Sequence, residues 1–182
     1  NADGVPSKAI FFGEESAKKI VKENGRADMV FARNVLPHVA DTRDFVAGLR
    51  ETLKDDGVLA IEAHYAKVIL EKLHYDSIYH EHLCYFTFKS LERLLNDFGL
   101  YVFDIESSPI SGGSLVVYAK KSRVQESGAV QKYRQTEIKD GTNNLKNWRG
   151  FAKFAVSHRS KLLRLIDTES NKGKKIFGYG AS

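Results

Sequence analysis

The densest group of side chains that could do chemistry lies in residues 74–86, where histidines and tyrosines surround an acidic residue. Three of the six histidines, His74, His80 and His82, fall within nine residues, and Glu81 lies between the last two. Histidine titrates near neutral pH, so it can accept and release protons under ordinary conditions. A histidine beside a carboxylate and several phenols suits removal of a proton next to a carbonyl group, with stabilisation of the oxyanion that forms.

Two other interpretations of this segment stay open on the residues alone. His80 and His82 would point to one face of an extended backbone, and His64 or His74 could then complete a metal site. Alternatively, the histidines and tyrosines only satisfy one another's hydrogen bonds. The spacing matches no HExxH motif and the single cysteine offers no second thiol, so we predict no metal site and favour proton transfer.

Alternating apolar runs and amphipathic stretches place this segment at the edge of a sheet. The pattern predicts buried strands at 9–12, 28–32 and 58–61, with helices at 14–22, 41–53 and 88–98. Two more β-rich runs, 100–105 and 115–119, flank a linker with proline and glycines and therefore favour a hairpin. Ligands of open α/β sheets bind beyond the carboxyl ends of the strands, and the histidine-rich segment follows the third strand there.

The last third of the chain differs in charge from the rest. Residues 123–182 carry 13 Lys and Arg against 5 Asp and Glu, whereas residues 1–122 carry 15 against 18. The excess would attract nucleic acid or the phosphates of a nucleotide-linked substrate, and a solvated helical face is the alternative. Trp148, Phe151 and Phe154 recur at helical spacing, which favours a packed stripe over a base-stacking surface. We predict two units, residues 1–122 and residues 123–182.

The composition and the two ends of the chain limit which classes of protein this sequence can belong to. No apolar run reaches the length of a membrane span, and Cys84 alone cannot form an internal disulfide, so we expect a cytoplasmic protein. The chain starts at Asn1 without methionine and ends in small residues, so we expect a piece of a longer enzyme. Residues 174–182 are predicted to form a strand that enters a glycine-rich turn.

Residues 78–82, Ile-Tyr-His-Glu-His, followed by Tyr85 and Phe86, resemble the signature loop of the SAM-dependent sugar C-methyltransferases. Residues 31–39 resemble the family's strand-four segment, residues 109–115 its Gly-Gly-Ser-Leu hairpin, and residues 178–182 its Gly-Tyr-Gly-Ala turn. The chain departs from the family at Ala63 and His64, where Val-Pro is usual, and at Ser111, where the hairpin usually has histidine.

This resemblance implies an α/β fold, a partial class I methyltransferase (Rossmann-like) sheet of parallel strands finished by an antiparallel hairpin. A C-terminal helical segment would lead into a second α/β domain that binds the nucleotide sugar. The resemblance also implies methyl transfer from S-adenosylmethionine (SAM) to C3 of a nucleotide-linked 4-keto deoxysugar, through an enolate that a base generates. Alternatives are another carbon or oxygen acceptor, or a basic module that binds nucleic acid or another partner without catalysis.

By resemblance, His82 would be the base, with Glu81 and Tyr79 orienting it and polarising the site. The SAM side would be formed by residues from three segments, Phe11, Phe12, Asn34, Pro37 and His38. His38 could instead reach the sugar. The nucleotide sugar would contact the loop, the hairpin and the last turn, at Tyr65, His80, Tyr85, Gly112, Gly113, Ser114, Tyr179, Gly180, Ala181 and Ser182.

The family's glycine-rich SAM loop and its N-terminal zinc module would both precede Asn1. We therefore expect zinc only in that module, and we expect this chain alone to bind SAM weakly or not at all. The expected partner is a nucleotide-sugar substrate. Neither a membrane nor nucleic acid is favoured as a partner.

Overall fold

The structure is a computed structural model that describes Gly4 and residues 6–178. The elements in chain order are α1 (Glu14–Asn24), β1 (Ala27–Arg33), α2 (Thr42–Thr52), β2 (Leu53–His64), α3 (Ala66–Lys72), α4 (Phe88–Asp97), β3 (Tyr101–Ser108), β4 (Ser114–Lys120), α5 (Gly128–Lys139) and α6 (Leu145–Asn171). Short 3-10 helices lie between them at Leu36–His38, Tyr75–Ser77 and Ile110–Gly112.

The strands form one four-stranded mixed sheet in the order β1-β2-β4-β3. β1 and β2 are parallel, and β4 pairs antiparallel with both β2 and β3. This confirms the prediction of parallel strands finished by an antiparallel hairpin. The register places Arg33 beside Glu62 and His64 beside Ser114, so the carboxyl ends of β1 and β2 meet the hairpin at one edge.

The predicted strand at residues 9–12 is wrong. These residues form no strand, Phe11 is fully exposed, and Phe12 is only partly buried, with its ring 5.4 Å from that of Phe45. A strand needs a neighbour for its backbone N–H and C=O groups, and in the described part of the chain this run pairs with none. The apolar run therefore packs one side chain on α2 instead.

One face of the sheet is packed against helices and forms the core. Leu59, Ile61 and Val117 are fully buried on this face. Helices α2, α4 and α5 cover it with apolar side chains that include Val46, Leu91 and Val130. Because α5 contributes to the same core, the start of the basic last third packs directly on the sheet.

Local capping explains where two of the predicted helices begin. The Asp41 carboxylate accepts hydrogen bonds from the backbone N–H groups of Arg43 and Asp44 at the start of α2. Thr87 caps α4 in the same way by accepting from the N–H of Ser90. Each cap satisfies backbone donors that the first turn of a helix leaves unpaired.

Helix α6 packs on the body through its first half, as far as His158, whose Nδ1 lies 2.7 Å from the Tyr75 hydroxyl. Phe151 is buried, and Trp148 Nε1 donates to the carbonyl of Thr142 at 2.8 Å, which confirms the packed stripe for these two residues. Phe154 is 39% exposed, and the apolar residues further along the helix are exposed as well.

Residues 174–178 form neither helix nor strand, in contrast to the predicted strand.

Among the described residues, no helix is both long enough and apolar enough to cross a bilayer.

Candidate active site

A cleft of about 300 Å³ lies at the carboxyl ends of β1 and β2, where the sequence places the histidine-rich segment. Its walls come from four parts of the chain: the segment after β1, the end of β2, the loop before α4 and the β3–β4 hairpin. The lining residues are Asn34, Pro37, His38, His64, Ser77, Tyr79, His82 and Ser111. The fold therefore brings predicted SAM-side residues and predicted catalytic residues into one cleft.

Backbone hydrogen bonds hold the walls of this cleft together. Asn34 has a left-handed backbone (φ 50°), and its N–H donates to the carbonyl of Glu62 at 3.0 Å. Asparagine tolerates this conformation better than most residues. The carbonyl of buried Pro37 accepts from the N–H groups of Leu83 and Cys84, at 2.8 and 3.2 Å. These bonds fix the histidine-rich loop to the end of β1.

The hydrogen bonds of His82 leave one ring nitrogen available as a base. His82 Nδ1 lies 3.0 Å from the carbonyl oxygen of Ser77. A carbonyl can only accept, so Nδ1 carries the hydrogen and Nε2 of the neutral ring carries a lone pair. The Tyr79 hydroxyl lies 3.3 Å from Nε2 and donates to it. This is the protonation pattern that a general base requires.

The His82 ring is half-buried among other polar rings. The nearest centroids are those of Tyr79 at 4.4 Å and His38 at 4.8 Å, with Tyr85 and His64 at 6.1 and 6.3 Å. Burial raises the pKa of the Tyr85 phenol, so this hydroxyl stays protonated. The ring is therefore not enclosed by aliphatic side chains. In the described part of the chain, no group of three or more His, Cys, Asp or Glu side chains is arranged to hold a metal ion.

His38 has the same tautomer as His82 for the same reason. Its Nδ1 donates to the backbone carbonyl of Glu81 at 3.0 Å, which leaves Nε2 as an acceptor. The side chain of Glu81 is exposed. In the structure the orienting partner of His82 is the Ser77 carbonyl rather than the Glu81 carboxylate, and sequence reasoning missed this partner because a backbone carbonyl leaves no residue-type signal.

His64 also lines the cleft, although the sequence had offered it only as a possible third metal ligand. Its side chain is buried at the end of β2, and neither ring nitrogen has a hydrogen-bond partner among the described residues. Such unpaired buried groups cost about 1–3 kcal/mol each. Burial lowers the pKa of His64, and the neighbouring His82 and His74 lower it further, so the ring is neutral near pH 7.

Glu62 lies two residues before His64, on the same face of β2. Its Oε2 accepts from Arg33 Nε at 2.6 Å, while its buried Oε1 has no partner among the described residues. The alternation Glu62, Ala63, His64 directly after the apolar run 58–61 was the available signal, because residues i and i+2 of a strand share a face.

Several predicted site residues are not among those that line the cleft. Tyr65 points into the core, and its hydroxyl donates to Glu137 Oε1 at 2.9 Å. Burial and the Glu137 charge raise the pKa of Tyr65, so it remains a donor. Phe11 and Phe12 do not line the cleft. His80 is exposed, with its ring 6.1 Å from that of Tyr79, and the Tyr85 hydroxyl lies 3.5 Å from the Ser77 carbonyl.

The predicted hairpin residues shape the edge of the cleft. Gly113 has φ 144°, its carbonyl accepts from the N–H of Tyr65 at 3.1 Å, and a Cβ there would lie 3.0 Å from Val68. Gly112 has φ 76°, and buried Ser114 donates its hydroxyl to the carbonyl of Ile110 at 3.0 Å. The hairpin residue that reaches the cleft is Ser111. Tyr179, Gly180, Ala181 and Ser182 lie outside the described residues.

Comparison with known proteins finds two family matches along the chain. Residues 3–105 match the family described as "Methyltransferase domain", and residues 109–182 match the "C-methyltransferase C-terminal domain". The C-methyltransferase NovU of Streptomyces niveus is 30% identical over 183 residues, which cover 100% of this chain and 44% of NovU. The chain thus spans less than half the length of this curated relative.

Solved structures give weaker likenesses. The 1,6-didemethyltoxoflavin-N1-methyltransferase of Burkholderia thailandensis, with bound S-adenosylhomocysteine, has a TM-score of 0.42 and 20% identity over 54% of this chain and 45% of its own. The magnesium protoporphyrin IX methyltransferase of Synechocystis PCC 6803 has a TM-score of 0.42 and 14% identity over 53% of this chain and 46% of its own.

The family match over residues 3–105 spans more than half of this chain, so the chain belongs to the methyltransferase-domain family.

Proposed function

We propose that the whole protein is a SAM-dependent C-methyltransferase that methylates C3 of a nucleotide-linked 4-keto deoxysugar, with His82 as the base. The observation that carries this proposal is the arrangement around His82. Its Nδ1 donates to the Ser77 carbonyl, and its Nε2 lone pair lies beside the Tyr79 hydroxyl in a cleft at the sheet edge. The similarity to NovU, which is named a C-methyltransferase, supports the reaction class.

The first chemical step is a proton transfer to this lone pair. A 4-keto group acidifies the C3 hydrogen, so Nε2 of His82 takes that proton and the electron pair of the C–H bond passes into an enolate. The Ser77 carbonyl stabilises the imidazolium that results, because Nδ1–H donates to it. Tyr79, whose hydroxyl lies 3.3 Å from the base, is placed to donate to the enolate oxygen once Nε2 is protonated.

The methyl donor would occupy the part of the cleft next to β1. Asn34, Pro37 and His38 line that part, and the amide of Asn34 with the free Nε2 of His38 suits the hydroxyl, amino and carboxylate groups of SAM. When bound, SAM supplies an electrophilic methyl group to the carbon that His82 has deprotonated. The excess of 13 Lys and Arg over 5 Asp and Glu in residues 123–182 supports a phosphate-bearing acceptor.

A methyl-transfer assay with the whole protein tests this proposal. We expect 13C-methyl-labelled SAM and thymidine diphosphate-linked 4-keto-6-deoxyglucose to give a product with the label on C3. Because a general base contributes roughly 10²–10⁴-fold, His82→Asn should lower turnover by at least about 100-fold. Lys19→Gln, a change at an exposed residue of α1 that does not line the cleft, should leave turnover unchanged.

Three results would contradict the proposal. A label on oxygen would point to a different acceptor chemistry, and no transfer to the sugar would remove the proposed substrate class. Full turnover by a folded His82→Asn protein would exclude this ring as the base.

A further inference from the structure

His64 is buried without hydrogen bonds in the wall of the cleft that holds His82. The residue is 6% exposed, and both ring nitrogens lack a partner among the described residues. A folded protein gains nothing from an imidazole in this state, because an apolar side chain of similar size would avoid the loss of hydration. Groups that cost stability in this way are found where function needs them.

The position of the ring gives it access to whatever binds in the cleft. His64 lines the cleft together with Ser111 and His82, and the centroids of the two imidazoles are 6.3 Å apart. The χ2 torsion of histidine is broad, so the ring has orientational freedom at this position in the cleft wall. A polar ligand group there would supply the missing hydrogen bond.

The chemistry of the cleft selects the class of that ligand group. His38 and His82 both present unprotonated Nε2 atoms, because their Nδ1 hydrogens are committed to backbone carbonyls. His82 Nε2 already accepts from the Tyr79 hydroxyl, so the Nε2 atom that needs a donor is that of His38. A neutral His64 ring offers one donor and one acceptor, and burial lowers its pKa so that it resists the charge that an anionic group would favour. A hydroxyl group, which both donates and accepts, meets these requirements better than a phosphate or a carboxylate.

We propose that His64 is a specificity-determining residue that hydrogen-bonds a hydroxyl group of the acceptor substrate. This inference rests on the proposed function, because it takes the ligand of the cleft to be a hydroxylated sugar. It adds a contact from β2 to the loop residues already placed around His82. It also accounts for the presence of a polar ring at a buried strand end.

The test compares His64→Phe, His64→Gln and wild type in the whole protein, with thymidine diphosphate-linked 4-keto-6-deoxyglucose as the probe in calorimetric titrations. Loss of one hydrogen bond between neutral groups should weaken sugar-nucleotide binding by about tenfold in His64→Phe. His64→Gln, which keeps a donor and an acceptor, should recover most of the affinity. Lys19→Gln, a control at an exposed residue of α1 outside the cleft, should bind like wild type.

Thermal unfolding separates this role from a structural one. His64→Phe should have a melting temperature equal to or above that of wild type, because it removes two unpaired buried nitrogens. A lower melting temperature together with unchanged affinity would overturn the inference and make His64 a structural residue.

Imidazole NMR of histidine-labelled wild-type protein keeps this test independent of the proposed reaction. We expect the His64 resonance, assigned from its absence in His64→Phe, to shift on addition of thymidine diphosphate-glucose, which has the hydroxyls but not the keto group. If the keto sugar is not methylated but this resonance shifts, the proposed function fails and the His64 contact stands. If neither sugar nucleotide shifts it, the inference is overturned.

Discussion

Glu137→Gln is expected to destabilise the fold severely, because a buried carboxylate at this position joins three elements. Glu137 is 2% exposed on α5. Its Oε1 accepts from the Tyr65 hydroxyl at 2.9 Å and from the N–H of Phe88 at 2.6 Å. Its Oε2 accepts from the N–H of Lys89 at 3.1 Å and from Asn143 Nδ2 at 2.9 Å. The carboxylate therefore ties α5 to the first turn of α4 and to the end of β2.

The size of the expected stability loss follows from how many of the four hydrogen-bond donors to the Glu137 carboxylate would lose their acceptor. A glutamine keeps one oxygen for two of the four donors, but its NH2 group would face the other two. Hydrogen bonds to a charged group contribute roughly 1.5–3 kcal/mol each, so losing two costs about 3–6 kcal/mol. That is a large part of the roughly 5–15 kcal/mol by which domains are stable. The Asn143 amide cannot simply turn its oxygen toward the new NH2 group, because that oxygen, Oδ1, already accepts from the Thr87 hydroxyl at 2.8 Å.

Urea unfolding followed by circular dichroism measures this loss directly. We expect the midpoint to fall with the slope unchanged, since the slope reports the surface exposed on unfolding. Glu51→Gln is the matched control, because Glu51 pairs with the exposed Arg26 and such pairs contribute under about 1 kcal/mol. If Glu137→Gln lost no more stability than Glu51→Gln, the reasoning about the buried carboxylate would be refuted.

Two further predictions concern stability. Wild type should lose stability as the pH falls below about 6.5, because His64 of the unfolded chain then takes up a proton that the native ring, with its lowered pKa, does not. Urea unfolding at pH 7.5 and 5.5 should show this loss to be smaller in His64→Phe, and equal losses would contradict it. Gly48→Ala should cost about 1–3 kcal/mol, because a Cβ there would lie 2.8 Å from the Gly13 backbone where α1 meets α2. Gly150→Ala, whose Cβ would meet no atom within 4 Å, should be neutral or stabilising in thermal unfolding, and equal melting temperatures for the two variants would contradict the packing argument.

The helices were predictable because their signals are local. The α2 and α4 starts carry their own capping residues, Asp41 and Thr87, and their apolar residues recur at helical spacing. Both helices lie within one or two residues of the predicted bounds. The run at 9–12 was misread because an apolar segment becomes a strand only when another strand pairs with it, and that is a property of the fold rather than of the segment.

The candidate site was predictable in its location and only partly in its contacts. Chain order placed the histidine-rich loop at the sheet edge, where His82, Tyr79 and His38 do meet. The partners that set the ring tautomers are backbone carbonyls of Ser77 and Glu81, which no residue type announces. Tyr65, which was predicted to contact the nucleotide sugar, points toward Glu137 instead, 72 residues further along the chain. Its buried hydroxyl donates a hydrogen bond to the buried carboxylate there.

Hydrogen exchange at the acceptor carbon tests the role of His82 most directly. The whole protein would be incubated in D2O with thymidine diphosphate-linked 4-keto-6-deoxyglucose and S-adenosylhomocysteine, and the C3 proton followed by NMR. We predict that wild type and Lys19→Gln, changed at an exposed residue of α1 outside the cleft, introduce deuterium at C3 at the same rate, and that His82→Asn slows this exchange by at least about 100-fold. Wild-type exchange by a folded His82→Asn protein would contradict the assignment of this imidazole as the base.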